Sequence, residues 1–480
     1  MATSAPITAR LTPREKLFYG FGDLGSCLFW NSFQMNLLLY YTDVFGISAA
    51  AAGWIFLVSR IWDGVNDPMV GALADRTKTR WGRYRPFILW FSLPLCVAGV
   101  LMFTTPDFAP SGKLIWAWVT YNAVMMLYTL VNIPYTALLG TISPDAPERG
   151  SVSTYKFGCA FTACIIVSFL FMPLTRDLAH GSPQRGWQMA FLVIAGLALP
   201  FFLLCFAGTR ERVVPRTGQK NKLAQDLKDL VANKPWRVLV GLTIAFVFFT
   251  AVRSTVMNHY LKYFVVGPAA SVDVSLPGFG AMTWDFETLN RWFNTSGQIA
   301  SLAGVLIIGL FVKRMEKKWN FIMWFSIAVV FTAWTFWLRR DQVGMLLFTN
   351  VVASMASAPL CVLIWAMYSD AAEYNEWKNH RQAAGLVFSA STFAQKLGWG
   401  VGPAAVSWAI DRLGFRPNVG QSPEVLHWLV LFVSLVPAAF GVLSIMFIFI
   451  YPLNDRRVRA MSAELEVRRP ADEALTAAAG

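Results

Sequence analysis

The stretch GWQMAFLVIAGLALPFFLLCFAG, residues 186–208, contains 23 positions without one charged side chain. A helix of that length measures about 34 Å, which is enough to cross a hydrocarbon core of about 30 Å. A strongly basic loop follows directly, with Arg210, Arg212, Arg216, Lys220, Lys222, Lys228 and Lys234. The sequence therefore predicts a membrane-spanning helix that ends in a basic loop.

Comparable apolar stretches occupy the chain on both sides of this loop. The first six are roughly residues 17–45, 49–74, 86–106, 113–142, 151–175 and 186–208. The last six are roughly residues 236–264, 291–312, 319–338, 344–371, 383–410 and 426–451. Only 14% of the 480 residues are charged and 56% are hydrophobic, whereas soluble domains have about 25% charged residues. We predict an all-α membrane protein of about twelve transmembrane helices.

The apolar stretches divide the chain into two pseudo-symmetric six-helix halves, residues 1–208 and 236–451, with a linker between them and a tail after them. Residues 209–235 form the linker, in which LAQDLKDLVANKP from Leu223 has leucines at helical spacing and charges opposite. This pattern predicts an amphipathic helix on the membrane surface, and a free loop is the alternative. Residues 452–480 form a tail.

The net charge of +13 is spread unevenly along the chain. Basic residues concentrate in alternate connections, and the intervening loops contain few of them, which is the pattern of membrane proteins with basic cytoplasmic loops. We therefore exclude nucleic acid as a partner, expect contact with the lipid bilayer, and place both termini and the linker in the cytoplasm. A monomer is expected because one chain contains both halves.

The second span reads SRIWDGVNDPMVG and contains Arg60, Asp63 and Asp67. A charge at membrane depth costs about 2.5–3.5 kcal/mol on insertion scales, so each one requires a reason. Asp63 and Asp67 are four residues apart and share one helix face, while Asn66 and Thr129 add neutral oxygens. This set predicts a site for Na⁺ or H⁺. Pairing of the two carboxylates with Arg60 or with Lys396 of the eleventh span is the alternative.

Polar stripes on the first and fourth spans predict a sugar site, because amide, carboxylate and hydroxyl groups bind sugar hydroxyls and aromatic rings stack on sugar rings. Hydrogen bonding between helices is the alternative. With two buried lysines, the candidate residues are Asp23, Cys27, Trp30, Asn31, Asn132, Tyr135, Thr136, Lys156 and Lys396.

A third set of residues is predicted to form a cytoplasmic gate or a structural charge network. It consists of Arg60, Asp75, Arg83, Glu373, Tyr374 and Glu376, the last three in a turn after the tenth span. The chain has no GxxxxGK[ST], HExxH or nucleophile-elbow GxSxG motif, and its four histidines are scattered. We predict neither an enzyme nor a cofactor other than the coupling ion.

Several motifs together resemble the glycoside-pentoside-hexuronide:cation symporter family. They are YGFGDLG from Tyr19, YYTDVFG from Tyr40, SRIWDGVNDP from Ser59, DRTKTRWGRYRPFILW from Asp75, NIPYTALL from Asn132, EYNEWK and FAQKLGWG. The resemblance covers roughly residues 15–452. It implies the major facilitator fold, alternating access, a location in a bacterial inner membrane, and sugar bound between the halves.

The resemblance also assigns individual residues. Asp63, Asp67 and Thr129 match the positions at which melibiose permease, a member of that family, holds Na⁺, Li⁺ or H⁺. Lys396 matches its buried lysine. Cys27 and Asn132 stand where that permease has two carboxylates for its galactosyl unit, and Thr136 stands at one of its tryptophans.

These departures make galactoside specificity doubtful, and they make a hexuronide one candidate substrate. We expect a secondary active transporter that couples Na⁺ or H⁺ influx to sugar or glycoside uptake. The alternatives are a cation-coupled transporter of a lysolipid-like amphiphile and an uncoupled sugar facilitator.

Overall fold

The computed structural model describes residues 10–143, 145–212, 223–269, 271–276, 280–312, 314–379 and 384–465. The predicted tail beyond residue 465, linker residues 213–222 and the N-terminal nine residues lie outside that range. The first helices are α1 Pro13–Leu39, α2 Ala49–Arg76, α3 Arg85–Met102, α4 Pro110–Ile142, α5 Ala146–Asp177, α6 Pro183–Gly208 and α7 Leu223–Ala232. The others are α8 Lys234–His259, α9 Phe286–Val312, α10 Lys317–Trp334, α11 Val343–Asn379, α12 Ala384–Arg412, α13 Pro423–Val433 and α14 Leu435–Phe449.

The chain forms two compact units, and both follow the same packing scheme. The first contains α1–α6 and the second contains α7–α14, except that Asn290–Trp292 group with the first. In the first unit α1 packs against α5 and α6, while α3 packs against α4 and α6. In the second unit α8 packs against α12 and α14, while α10 packs against α11 and α14. The matching pattern is that of two six-helix halves related by an internal repeat.

Eight helical segments of the described residues are long and apolar enough to cross a membrane. They comprise α3, α4, α5, α6, α8, α10, α11 and the α13–α14 pair. Helices α1, α2, α9 and α12 are of comparable length, at 27, 28, 27 and 29 residues. All the predicted binding residues outside α4 and α5 lie on three of these four, namely α1, α2 and α12.

Three features differ from the sequence-based prediction. Helix α11 continues to Asn379, so Glu373, Tyr374 and Glu376 lie on its last turns and not in a turn after the span. A two-stranded antiparallel hairpin, β1 Ser271–Leu276 with β2 Gly280–Asp285, occupies the predicted loop before α9. The twelfth span is interrupted at Ser434 because Pro437 cannot donate the helical hydrogen bond and its ring obstructs the carbonyl four residues earlier.

The start of helix α1 has a recognisable capping signal. Thr12 caps α1 in a reciprocal capping box with Glu15, and Pro13 follows at the first helical position. Helix α1 also lies very close to its neighbours, since a Cβ added to Gly22 would collide with the ring of Tyr135 on α4. Small residues permit this approach of helices in a membrane.

Candidate functional site

The carboxylate cluster, which we define as Asp63, Asp67 and Thr129, joins α2 to α4. The Thr129 hydroxyl lies 3.1 Å from Asp63 Oδ1 and 3.4 Å from Asp67 Oδ1 and donates towards both. Asp63 and Thr129 are 2% and 3% exposed, and Asp67 is half-buried. Two acidic groups one helical turn apart therefore converge on one hydroxyl group inside the first unit.

Arg60 connects this cluster to an aromatic face. Its Nη1 donates to Asp63 Oδ2 at 3.3 Å, and its guanidinium carbon lies 4.4 Å from the Trp30 ring centroid. Trp30 in turn packs against Tyr128, with ring centroids 5.8 Å apart. The predicted pairing of Asp63 with Arg60 is thus present together with the converging oxygens, and the two interpretations are compatible.

Asn66 completes the surroundings of the cluster on α2. Its side chain is 2% exposed, and its amide nitrogen has no hydrogen-bond partner among the described residues. Pro68 lies inside α2 and leaves the carbonyl of Gly64 without its usual helical donor. A buried polar group without a partner is costly. The amide nitrogen is a donor, so a water molecule would satisfy it, whereas a bound cation would be held by oxygens such as the Gly64 carbonyl. Carboxylate, hydroxyl and amide oxygens are ligands typical of hard cations.

No group of three or more His, Cys, Asp and Glu side chains that could hold a metal ion occurs within the described ranges. The candidate ligands at the cluster are therefore two carboxylates supplemented by neutral oxygens. That composition suits a monovalent hard cation or a proton better than it suits a transition metal, which prefers nitrogen and sulfur ligands.

A second polar region lies between α1 and α5. Lys156 Nζ is 3.8 Å from Asp23 Oδ1 and 5.7 Å from the Tyr135 ring centroid. Both charged side chains keep some exposure, 22% for Lys156 and 13% for Asp23. Asn31 donates to the Cys27 carbonyl at 2.9 Å and to Cys164 Sγ at 3.1 Å. The predicted residues of α1 are thus arranged along one partly exposed face with a cation beside it.

Tyr135, one of the predicted sugar-binding residues, is buried against Tyr19, which the polar stripe did not indicate. Its ring is 1% exposed and stacks on Tyr19, with centroids 4.7 Å apart. Each hydroxyl donates to the backbone carbonyl of the other residue, at 3.0 and 3.3 Å. Of its neighbours on α4, Asn132 is half-buried and Thr136 is exposed. Lys396 lies on α12 of the second unit and is half-buried.

Glu211, which lies after α6 at the end of the first unit, was not among the residues predicted from the sequence. Both carboxylate oxygens of Glu211 accept backbone N–H groups before and at the start of α3: Arg83 at 2.9 Å, Tyr84 at 2.8 Å and Arg85 at 3.2 Å. We call this arrangement the Glu211 cap. A carboxylate at a helix N-terminus is favoured by the helix dipole. Gly82 has a φ of 109°, and a Cβ there would strike the Glu211 carboxylate.

The predicted gate residues Asp75 and Arg83 meet at this cap. Asp75 Oδ1 accepts a 2.7 Å hydrogen bond from the Tyr84 hydroxyl, while Arg83 contributes its backbone N–H. Burial, reinforced by the bond to Asp75, raises the pKa of Tyr84 above its usual value. Tyr84 therefore remains a donor throughout the physiological pH range. The only signal for Glu211 in the sequence was an isolated acid among basic residues.

The corresponding predicted residues of the second unit contact the tail, whose residues 455–465 are helical. Glu373 Oε2 accepts a 2.6 Å hydrogen bond from Ser462, and the Trp377 indole donates to Glu464 at 2.7 Å. Tyr374 packs beside Trp377, with centroids 6.1 Å apart. One helical turn earlier on α11, Asp370 is paired with Lys317 at 2.6 Å. These contacts form a polar network at the end of α11.

A family model for MFS/sugar transport proteins matches residues 18–455 of this chain. The chain belongs to that family. Its members are membrane transporters and not enzymes. The match includes the carboxylate cluster, the polar region beside Lys156 and the Glu211 cap.

Relatives that match this chain over nearly its whole length are also named as transporters or symporters. An isoprimeverose transporter of Lactiplantibacillus pentosus is 32% identical, with 96% of this chain and 93% of the relative covered. An inner membrane symporter of Escherichia coli, YicJ, is 30% identical over 90% of each chain. A glucuronide carrier protein homolog of Escherichia coli is 28% identical over 97% and 98%.

Solved structures of more distant transporters have the same fold. A bacterial homologue of the human drug peptide transporters matches with a TM-score of 0.64 and 12% identity, covering 95% of this chain and 99% of its own. An inward-facing bacterial homolog of the human lysosomal transporter Spinster matches with a TM-score of 0.61 and 14% identity, covering 92% and 97%. These likenesses establish the major facilitator fold of the chain.

Proposed function

We propose that this protein is a symporter that couples the inward movement of Na⁺ or H⁺ to the uptake of a sugar or glycoside. The observation that carries the proposal is the carboxylate cluster, in which the buried Asp63 and the half-buried Asp67 converge on one hydroxyl group. Acids at membrane depth are costly and mark ion pathways in transporters. The family and the symporter YicJ support the same mechanism.

The membrane potential sets the free energy that is available for this coupling. One positive charge that moves through 100 mV releases about 2.3 kcal/mol. If each charge is coupled to one sugar molecule, this free energy supports roughly fifty-fold accumulation. For the two movements to be coupled, binding of the cation at the carboxylate cluster has to favour the conformation that binds sugar.

The substrate is proposed to bind beside the cluster, along the partly exposed face formed by Asp23, Trp30, Asn31 and Lys156. The separation of 3.8 Å between Lys156 and Asp23 permits a substrate carboxylate to share the ammonium group. Relatives named for isoprimeverose and for glucuronide carriage support both neutral and acidic glycosides as candidates. We favour a hexuronide because Lys156 supplies a cation at the site.

We also propose that both termini and the linker face the cytoplasm of a bacterium and that the protein works in the inner membrane. Within the first unit, Glu15 of α1 pairs with Arg212 at 2.6 Å, and Lys16 pairs with Glu148 at 2.9 Å. The start of α1, the start of α5 and the residues after α6 therefore share one end of the unit. That end carries the basic loops, which favours the cytoplasmic side. We further propose a monomer.

The proposal is tested by the thermal midpoint of the purified protein, with and without Na⁺, against neutral glycosides, pentosides and hexuronides. A ligand that binds only the folded state raises the midpoint, by about 2.7 kcal/mol of stabilisation at a hundred times its dissociation constant. We expect a hexuronide to raise the midpoint and Na⁺ or lower pH to increase that shift.

The other outcomes discriminate between functions. A sugar shift that neither Na⁺ nor pH changes would indicate an uncoupled facilitator. No shift with any sugar, together with a shift produced by lysolipids, would contradict the sugar proposal and favour transport of an amphiphile. A larger shift with neutral glycosides than with hexuronides would reject the preference assigned to Lys156.

A further inference from the structure

Two adjoining cavities open on the second unit, where α8 continues as the π-helical segment Tyr260–Val266. One, which we call the polar cavity, has a volume of about 460 Å³, and the polar side chains in its lining include Lys262, Asn418 and Gln421. The other, which we call the apolar cavity, has a volume of about 400 Å³ and is lined mainly by apolar side chains that include Phe264, Phe336 and Val430, with His427 among them. Arg340 and Leu426 line both, so a molecule with a polar head and an apolar chain can occupy the two together.

The polar cavity has a strongly positive lining. Lys262 Nζ donates to Asn418 Oδ1 at 2.9 Å and lies 5.2 Å from the Tyr263 ring centroid. The Arg340 guanidinium carbon lies 4.9 Å over the Phe264 ring, and its Nη1 is 3.8 Å from the place of a Cβ on Gly267. Among the described residues no acid lines either cavity. Two cations therefore face the same cavity opening.

Neighbouring tryptophans indicate the depth of the cavities in the membrane. Trp334, Trp337 and Trp428 are 43%, 66% and 36% exposed at the end of α10, just after it and on α13. Trp337 packs edge-on against Phe336 of the apolar cavity, with centroids 5.3 Å apart. Exposed tryptophans concentrate at the boundary between hydrocarbon and headgroups. The polar cavity is therefore at headgroup level and the apolar one borders the hydrocarbon.

We infer that these cavities form a binding site for one anionic phospholipid. Its phosphate would lie between Lys262 and Arg340, because guanidinium groups bind phosphate oxygens in pairs of hydrogen bonds. Its acyl chain would lie along Phe264, Phe336 and Leu426. A soluble anion would make no use of the apolar cavity, and a neutral lipid would make no use of the second cation. The site is separate from the carboxylate cluster, and the inference does not depend on the proposed substrate.

The test uses the full-length protein in neutral detergent after removal of bound lipid. Phosphatidylglycerol or phosphatidylcholine with identical acyl chains is titrated into the micelles, and the thermal midpoint is measured. The test variant carries Lys262→Gln and Arg340→Gln. The matched control is Arg339→Gln, because Arg339 is 74% exposed, adjacent in sequence and paired with Asp341 at 3.2 Å outside the cavities.

We expect phosphatidylglycerol to raise the midpoint of the unaltered protein and of the control, with half the effect at a lower concentration than for phosphatidylcholine. In the test variant the half-effect concentration of phosphatidylglycerol should rise at least about fivefold for each charge removed. An equal response to both lipids would overturn the proposal. The proposal would also be overturned if inorganic phosphate alone raised the midpoint as much as phosphatidylglycerol does. The same holds if Arg339→Gln weakened the response to phosphatidylglycerol as much as the test variant does. If the double variant does not fold, Lys262→Gln alone must weaken the response, and Arg340→Lys, which keeps the charge but loses the paired hydrogen bonds, must weaken it less than Arg340→Gln does.

Discussion

The carboxylate cluster and the Glu211 cap are both polar regions of the first unit, yet they are built in opposite ways. In the cap, carboxylate oxygens are held by three backbone N–H groups at 2.8, 2.9 and 3.2 Å, which cannot turn away without unfolding the start of α3. In the cluster, the carboxylate oxygens accept from side chains, namely the Thr129 hydroxyl at 3.1 and 3.4 Å and Arg60 at 3.3 Å. Side chains can exchange partners, and backbone groups of a helix cannot. This difference supports the proposal that the cluster binds and releases a ligand, while the cap holds the scaffold.

The largest expected effect comes from Asp63→Asn in the cluster. Loss of the charge removes the coupling ligand, so the roughly fifty-fold accumulation available at 100 mV should fall to equilibration. The measurement is gradient-driven sugar uptake into proteoliposomes, with gel filtration to establish that the variant is folded. Asp177→Asn is the control, because Asp177 is 56% exposed and pairs with Arg176 at the surface. Unchanged accumulation in Asp63→Asn would reject its role in coupling.

The next effect is on stability and distinguishes the cap from the cluster. Glu211→Ala leaves three backbone donors without their charged acceptor, which should cost at least about 3 kcal/mol, since one hydrogen bond to a charged group contributes about 1.5–3 kcal/mol. The readout is the thermal midpoint in detergent. Asp177→Ala should cost less than about 1 kcal/mol, as exposed ion pairs do. If both substitutions lowered the midpoint equally, the distinction between scaffold and site would be wrong.

The smallest effect concerns the hydroxyl that joins the two carboxylates. Thr129→Ser retains the hydroxyl and should leave the half-saturating cation concentration nearly unchanged. Thr129→Ala removes it and should raise that concentration about threefold to tenfold, the equivalent of one hydrogen bond. Cation-dependent uptake rates measure the difference. Identical behaviour of the two variants would show that the hydroxyl takes no part in cation binding.

Much of the helical framework was predictable because a hydrocarbon core demands long apolar stretches. The predicted spans 49–74 and 186–208 correspond to Ala49–Arg76 and Pro183–Gly208. The approximate positions of the other spans followed from the same rule. The geometry of a single helix also predicted that Asp63 and Asp67 share a face, and the structure brings Thr129 to both.

What the sequence did not predict depended on contacts between distant residues or on short segments. The Glu211 cap joins residues 126–128 positions apart, which no local pattern reports. The hairpin is two strands of six residues each, too short to stand out beside spans of twenty. Helix α11 extends beyond its apolar stretch into polar residues, of which Glu373 and Trp377 contact the tail, so hydropathy alone ended it too early.

The hydroxyl of Thr129 gives its one hydrogen to the two carboxylates, at 3.1 and 3.4 Å. A metal cation held there would need the lone pairs of that oxygen, so its hydrogen would have to rotate outwards, and the carbonyl one turn earlier on α4 is the usual acceptor. A proton makes no such demand, because a protonated acid donates to the hydroxyl oxygen. The orientation of the Thr129 O–H bond would therefore differ between the cation-bound and the protonated states of the cluster.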